Sequence, residues 1–167
     1  MPVGNRTEGT NPNGVSQTDM STYTQILYHI VFATKNREPA LDKQRREDLY
    51  KYFWGIIQKR DGHLYRIGGT EDHVHILCSI HPTVALADLV KEIKVASSQW
   101  IKAEKIFPVF RNWQSGYGAF TCSAESKAQI VEYIQNQEQH HRNESSADEL
   151  KRLLAASGIE YNADYFE

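Results

Sequence analysis

Apolar residues follow two different periods along this chain, and the shorter period marks the β-strands. Residues 23–34 read YTQILYHIVFAT, with Ile26, Tyr28, Ile30 and Phe32 alternating with other side chains. Alternation with period two in a segment rich in β-branched and aromatic residues indicates a strand that is buried on at least one face. Three further strands are predicted at residues 63–67, 73–80 and 119–122.

Four other segments repeat their apolar residues at three- and four-residue steps, which predicts amphipathic helices. The first follows Asp42 and stops at the Asp-Gly pair at 61–62, and the second begins at the Pro-Thr pair at 82–83. Ser123 is expected to cap the third helix, because its hydroxyl can accept a hydrogen bond from a free backbone N–H. The last helix is predicted over residues 147–156.

The predicted order is β-α-β-β-α-β-α-α, and it indicates an α+β fold. The first six elements match the ferredoxin-like pattern, shared by RNA-recognition-motif-like domains, in which helices cover one face of an antiparallel sheet. Residues 1–20 contain few large apolar groups and are expected to be a disordered tail. Residues 21–141 are predicted to form a single domain, and residues 142–167 a C-terminal helical tail.

Two histidines on the third predicted strand are the sharpest local feature. Side chains two apart on a strand point to the same face, so His73 and His75 should project together, about 6.6–7 Å apart. Val74 and Ile76 would face the core on the other side. Two imidazoles on one rigid face can share a metal ion. The same spacing also fits two ordinary surface histidines, and the strand alone leaves both interpretations open.

A tyrosine on the third predicted helix adds a second candidate group. Tyr133 and Gln137 are four residues apart, so they lie on one helical face about 6 Å from each other. They also fit a half-buried aromatic and a solvated amide. Beside a metal, however, a phenol can attack a phosphodiester and form a covalent phosphotyrosine. His140 and His141 are expected at a solvated helix end, and a place for either of them in the metal site stays open.

These segments together resemble a known family. The His-Val-His segment at 73–75 is similar to the histidine–hydrophobe–histidine (HUH) motif, and YIQNQ at 133–137 is similar to the tyrosine helix of single-tyrosine HUH transposases. These are the transposases of the insertion-sequence-200 type, with the REP-associated tyrosine transposases as relatives. The likeness runs over residues 23–141. It also includes HIVFATK at 29–35, DHVHIL at 72–77, Lys94 with the serine pair at 97–98, and WQSGYGAF at 113–120.

The resemblance implies a role for each matched residue. His73 and His75 would bind a divalent metal, Gln137 would be the third protein ligand, and Tyr133 would be the nucleophile. The implied function is cleavage and rejoining of single-stranded DNA at hairpin-flanked ends through a 5′-phosphotyrosine. Family members use Mg²⁺ or Mn²⁺, whereas imidazole ligands alone favour zinc or manganese. The family also implies a homodimer in which the tyrosine helix of one subunit completes the other subunit's histidine site.

Two alternative functions stay open at this point. One is a domesticated relative that processes repeated palindromes without moving itself. The other is a non-catalytic module that binds single-stranded nucleic acid and uses the histidines structurally. No small-molecule substrate and no membrane association are expected. The chain has only two cysteines and no apparent leader, so we expect a cytoplasmic, nucleoid-associated protein of a bacterium or archaeon.

The charge of the chain bears on nucleic-acid binding through its distribution along the sequence. The formal net charge is −2, which argues against binding nucleic acid through net charge alone. The acidity is concentrated after His141, however, where three basic and six acidic residues lie. Phosphate contacts in single-stranded DNA should come from cations, and we expect them from Lys35, Arg37 and Lys94. Binding should accordingly be modest and sensitive to salt.

Overall fold

The computed structural model describes residues 23–162 and residue 166, so the predicted tail over residues 1–20 lies outside the described residues. The strands are β1 (Leu27–Ala33), β2 (His63–Gly69), β3 (His73–Ser79) and β4 (Gly118–Cys122). The helices are α1 (Arg46–Lys59), α2 (Leu86–Ala103), α3 (Lys127–Gln135), α4 (Gln137–His140) and α5 (Ser146–Ala156).

The four strands form one antiparallel sheet in the order β2-β3-β1-β4. The two central strands, β1 and β3, therefore come from distant parts of the chain, and Val31 lies opposite His75 in their register. This topology, with helices following β1 and β3, confirms the predicted ferredoxin-like α+β fold. It also places the histidine strand in the middle of the sheet, where neighbouring strands hold its backbone on both sides.

The hydrophobic core lies between one face of the sheet and helices α1 and α2. Alternate residues of β1 and β3 supply the sheet side of this core, and the apolar stripes of the two helices supply the other. Burial of this surface stabilises the fold in proportion to the apolar area removed from water. Fully buried members include Ile30, Val74, Ile76, Phe53, Ile57 and Ile93.

The opposite face of the sheet carries the remaining alternate residues, and helix α3 packs against it over β2 and β3. The approach is so close that a Cβ atom on Gly68 would stand 2.3 Å from the carbonyl oxygen of Ile134. Only glycine at this position of β2 allows α3 to lie where it does. The histidines of β3 point to this face, because their neighbours Val74 and Ile76 point to the core.

Several predicted boundaries differ from the structure. The first strand begins at Leu27 rather than Tyr23, because the preceding residues have no strand partner and Ile26 is 45% exposed. The third helix begins at Lys127, because a turn in which Ser123 accepts a hydrogen bond from the Ser126 backbone N–H precedes it. The second begins at Leu86, three residues after the predicted start.

Within the described residues, no helix combines the length and the apolar character that crossing a membrane requires.

Candidate active site

His73 and His75 are both fully buried, and each presents its Nε2 atom to the same space above the sheet. Their ring centroids are 5.0 Å apart, so the pair lies together as the strand period predicted. The Nδ1 atom of His73 donates to Asp72 Oδ1 at 2.6 Å and also lies 2.9 Å from Thr70 Oγ1. A histidine whose Nδ1 is held in this way keeps Nε2 directed at one point, as metal-binding histidines do.

The second histidine is held by a residue that the sequence pattern did not single out. His75 Nδ1 is hydrogen-bonded to His29 Nε2 at 2.8 Å, and the two rings are stacked. Burial lowers the pKa of His29 to about 3 and that of His75 to about 4, so both imidazoles are neutral at pH 7. A neutral imidazole is the form that binds a metal.

His73, unlike His29 and His75, is protonated at pH 7. Burial alone would lower the pKa of His73, but hydrogen bonds to Asp72 and Glu149 raise it to about 9. The imidazolium formed in the metal-free protein sits beside two carboxylates, which compensate its charge. A bound cation would take the place of this proton, because a metal ligand must first be deprotonated.

Tyr133 and Gln137 both reach this space. Gln137 is buried at the start of α4, and its Oε1 accepts a hydrogen bond from His73 Nε2 at 3.0 Å. The Tyr133 ring on α3 lies 5.9 Å from the His75 ring, measured between centroids. The predicted single helix is interrupted at Asn136, so Tyr133 ends up on α3 and Gln137 on α4. The packing of α3 on β2 and β3 brings both side chains beside the histidines of the same chain.

Glu149 completes the cluster, and it is not among the residues predicted from the sequence. It lies in the first turn of α5, is 1% exposed, and sits between the histidines and the tyrosine. Its Oε2 lies 3.2 Å from His75 Nε2 and 3.3 Å from His73 Nε2. Its Oε1 accepts hydrogen bonds from Gln137 Nε2 and from the Tyr133 hydroxyl.

The hydrogen bonds around Glu149 determine its protonation state. Burial by itself would raise the pKa of Glu149, but hydrogen bonds from His141, His73 and His75 hold it well below its usual range. The same carboxylate has the reverse effect on the tyrosine. Burial, with the neighbouring charge of Glu149, raises the pKa of the Tyr133 phenol well above its usual value. The phenol is therefore protonated and needs positive charge nearby to become a nucleophile.

His141 also belongs to the site, and the expectation that it lies at a solvated helix end is wrong. Its Nε2 donates to Glu149 Oε2 at 2.8 Å, and its ring centroid lies 4.4 Å from that of His73. The side chain is only 12% exposed because α5 folds back over it. His140 is exposed, as expected, and its ring contacts that of Tyr133.

The residues present fit a divalent cation. One ligand atom from each of His73, His75 and Glu149 can be chosen so that all three lie within 4.8 Å of one another. Two imidazole nitrogens and a carboxylate oxygen are a common ligand set for manganese, iron and zinc. Both histidines have the orienting partners that such ligands normally have. Gln137 Oε1 is a neutral oxygen in the same space.

The three cations expected to contact DNA have different surroundings. Lys35 is exposed in a short 3-10 turn after β1, and Arg37 ends that turn and lines a cavity of about 540 Å³ beside His73. Lys94 donates from Nζ to the carbonyl oxygens of Gln114 and Gly116, both at 2.6 Å. Its ammonium therefore anchors the loop before β4, and its contact with DNA stays a prediction.

One signal in the sequence points to Glu149 in retrospect. Helix α5 carries an apolar stripe formed by Leu150, Leu153 and Leu154, and Glu149 lies at the edge of this stripe, four residues before Leu153. An acidic residue in an apolar stripe is unusual, because a buried carboxylate needs partners. Two of its three histidine partners, His73 and His75, lie more than seventy residues earlier in the chain, so the stripe alone could not identify them.

Comparison with known proteins places this geometry in a family. The family model described as "Transposase IS200 like" matches residues 22–137. The ISDra2 transposase TnpA of Deinococcus radiodurans is 28% identical over 120 residues, which cover 68% of this chain and 84% of that protein. All of α5 lies beyond the matched family segment, so Glu149 lies outside that segment.

Two solved structures share the fold. The crystal structure of a candidate transposase from Deinococcus radiodurans has a TM-score of 0.55 and 28% identity, over 72% of this chain and 98% of that one. The structure of a REP-associated tyrosine transposase bound to a REP hairpin also has a TM-score of 0.55, with 16% identity over 73% of this chain and 74% of that one. On the family match and the shared fold, this chain belongs to the IS200-like transposases.

Proposed function

We propose that this protein cleaves and rejoins single-stranded DNA at hairpin-flanked ends, with Tyr133 as the nucleophile and a divalent metal at His73 and His75. The observation that carries the proposal is that both histidines and the tyrosine contact the carboxylate of Glu149. One of its oxygens faces the Nε2 atoms of both histidines, and the other accepts a hydrogen bond from the Tyr133 hydroxyl. A phenol and a candidate metal site that share one carboxylate are within reach of the same phosphate.

The proposed chemistry conserves the energy of the phosphodiester bond. The Tyr133 oxygen attacks phosphorus, the bond from phosphorus to the 3′ oxygen breaks, and the phenolic proton is released as the 3′ oxygen gains one. The products are a 5′-phosphotyrosine and a free 3′-hydroxyl. Attack by another 3′-hydroxyl reverses the step and joins the strands, so no nucleotide cofactor is required.

His73, His75 and Glu149 would hold the metal, with Gln137 Oε1 as a further ligand. When bound, a divalent cation would supply charge neutralisation for the phosphate in the transition state. Mn²⁺ and Mg²⁺ both accept carboxylate and amide oxygens, and the two imidazoles favour Mn²⁺. Asp72, Thr70 and His29 orient the histidines.

The proposed substrate is single-stranded DNA that carries a hairpin. The solved REP-associated tyrosine transposase, which shares this fold, is bound to a REP hairpin. In this chain, Arg37 and the exposed Tyr117 line the cavity beside His73, where a positive charge and an aromatic ring could contact phosphate and an unpaired base. Palindromes that flank the gene would supply the candidate hairpins.

The test is formation of a covalent protein–DNA adduct. The full chain is incubated with Mn²⁺ and labelled single-stranded hairpins from the flanking palindromes, then resolved under denaturing conditions. We expect a stable adduct with the unmodified protein and none with Tyr133→Phe. An adduct that survives this substitution would disprove the nucleophile, and DNA binding without any adduct would favour a binding module. Cleavage without strand joining would favour a palindrome-processing nuclease.

A further inference from the structure

Arg152 contacts the oxygen atom of the candidate nucleophile. It lies one turn after Glu149 on α5, and its Nη2 donates to Tyr133 Oη at 3.0 Å. Its Cζ atom lies 5.9 Å from the centre of the Tyr133 ring. The side chain is half exposed, so its charge is accessible from solvent.

Glu144 directs this arginine. The Glu144 carboxylate accepts from Arg152 Nε at 3.0 Å and from Nη2 at 2.9 Å, in a two-point contact. Such a contact fixes the plane of the guanidinium, which a single contact would leave free to rotate. The remaining nitrogen, Nη1, makes no hydrogen bond to any of the described residues. An oriented donor thus remains available beside the phenol.

This ion pair is bidentate and part-exposed, so it stabilises the local structure and also leaves the charge of the arginine accessible to a ligand. Arginine is matched to phosphate, because its fork can donate two hydrogen bonds to two phosphate oxygens while its charge stays constant. The guanidinium of Arg152 places a positive charge at the phenolic oxygen itself, because its Nη2 donates to Tyr133 Oη at 3.0 Å.

We propose that Arg152 is a catalytic residue of the cleavage step, held by Glu144, and that it binds a non-bridging oxygen of the scissile phosphate as Tyr133 attacks. The bond from Tyr133 Oη to phosphorus forms and the bond from phosphorus to the 3′ oxygen breaks. Arg152 neutralises charge on the phosphate oxygens and on the attacking phenolic oxygen, and it transfers no proton. This inference rests on the proposed function, and it adds a residue that lies outside the matched family segment.

The first experiment measures single-turnover adduct formation at saturating hairpin DNA with Mn²⁺. Arg152→Gln should slow the reaction by about 10²- to 10³-fold, the usual effect of removing one donor to developing charge. Arg152→Lys should slow adduct formation to an intermediate degree, because it keeps the positive charge but cannot donate two parallel hydrogen bonds. Glu144→Gln should also have an intermediate effect, because it keeps the guanidinium but removes the carboxylate that orients it. Lys151→Gln is the matched control, and it should react at the unmodified rate.

A second arm separates contact with phosphate from a structural role. The scissile phosphate is replaced by a methylphosphonate, in which a methyl group takes the place of one non-bridging oxygen and the negative charge is lost. The reduction in the rate of adduct formation caused by Arg152→Gln should be smaller on at least one diastereomer of the methylphosphonate, since the linkage carries less charge to neutralise. An equal loss on the phosphodiester and on both diastereomers would overturn the proposal, as would an Arg152→Gln variant that reacts as fast as Lys151→Gln.

The outcomes distinguish this inference from the function on which it rests. If the unmodified protein forms no adduct, the proposed function fails. If the unmodified protein reacts and Arg152→Gln matches it, only the inference fails. Thermal unfolding of Arg152→Gln and Lys151→Gln should agree, and a large loss of stability confined to Arg152→Gln would assign the residue a structural role instead.

Discussion

Glu149 uses its two oxygens for different parts of the site. Oε2 faces His73, His75 and His141, whereas Oε1 faces Tyr133 and Gln137. One buried carboxylate therefore connects the candidate metal ligands to the candidate nucleophile. Its charge is compensated by several donors, which is the condition under which a buried carboxylate is tolerated.

Removal of this charge should weaken metal binding. Glu149→Gln keeps the size of the side chain but loses its negative charge, and we expect Mn²⁺ affinity to fall by at least about tenfold, since ligand charge sets the affinity for hard cations. Isothermal titration calorimetry of the metal-free protein measures this. Glu132→Gln, on an exposed position of α3, is the control. An unchanged or higher affinity in Glu149→Gln would show that Glu149 is not a ligand.

At the scale of elements, the site depends on how closely α3 approaches the sheet. Gly68 lies opposite His75 in the register of β2 and β3, under the C-terminal turn of α3. The absence of a side chain there lets Tyr133 and Gln137 reach the histidines. The turn at residues 70–72 then orients His73, and α5 is tied to the same turn, because Ser146 Oγ donates to Asp72 Oδ2 at 2.7 Å.

A methyl group at this contact should displace the helix. Gly68→Ala would place Cβ 2.3 Å from Ile134 O and 2.9 Å from Ile134 Cγ2, and α3 cannot avoid both without moving. We expect the free energy of unfolding to fall by about 1–3 kcal/mol, as in other overpacked sites, and adduct formation to slow.

Gly55→Ala provides the comparison for this substitution. Gly55 lies in α1, and nothing lies within 4 Å of the position that a Cβ atom would take there. Alanine at this position should therefore raise the free energy of unfolding by about 0.5–1 kcal/mol, because it favours the helix more than glycine does. Urea unfolding of both variants measures the difference. Equal stability changes would contradict the close approach of α3.

At the scale of the whole molecule, the structure forms the candidate site within one chain. Tyr133 lies beside His75 of its own subunit, and α3 packs on its own strands β2 and β3. Exchange of tyrosine helices between two subunits, which the family resemblance implied, is not needed to bring these groups together. A homodimer remains a prediction. Which subunit supplies the tyrosine that attacks the DNA can be measured.

Mixing two inactive variants tests this arrangement. Tyr133→Phe lacks the nucleophile and His73→Ala lacks a candidate metal ligand, so each alone should form no adduct. If tyrosine and histidines act within one chain, their mixture should also stay inactive after incubation under conditions that allow subunits to exchange. A mixture of unmodified protein with either variant is the positive control. An adduct on the His73→Ala chain, identified by a size tag, would establish action between subunits.

Local pattern, together with the family resemblance, was sufficient for most of the fold and for four candidate site residues. Period two along β3 places His73 and His75 on one face. Tyr133 and Gln137 were predicted on one helical face, and both reach Glu149 although a break at Asn136 separates their helices. The alternation of strands and helices also predicted the element order and the ferredoxin-like topology. The positions of the strands and helices depend on residues near one another in sequence, so they follow from backbone periodicity, whereas the pairing of β1 with β3 joins distant parts of the chain.

Tertiary structure decided which other residues contact the histidine pair and the tyrosine. His29 reaches His75 because β1 and β3 pair in one register, although 46 residues separate them. Glu149 and Arg152 reach the site only because α5 folds over the sheet, and His75 and Glu149 are 74 residues apart. Contacts over such distances leave no periodic trace in the sequence. The histidine pair and the tyrosine could therefore be identified from the chain alone, whereas the carboxylate and the arginine beside them required the fold.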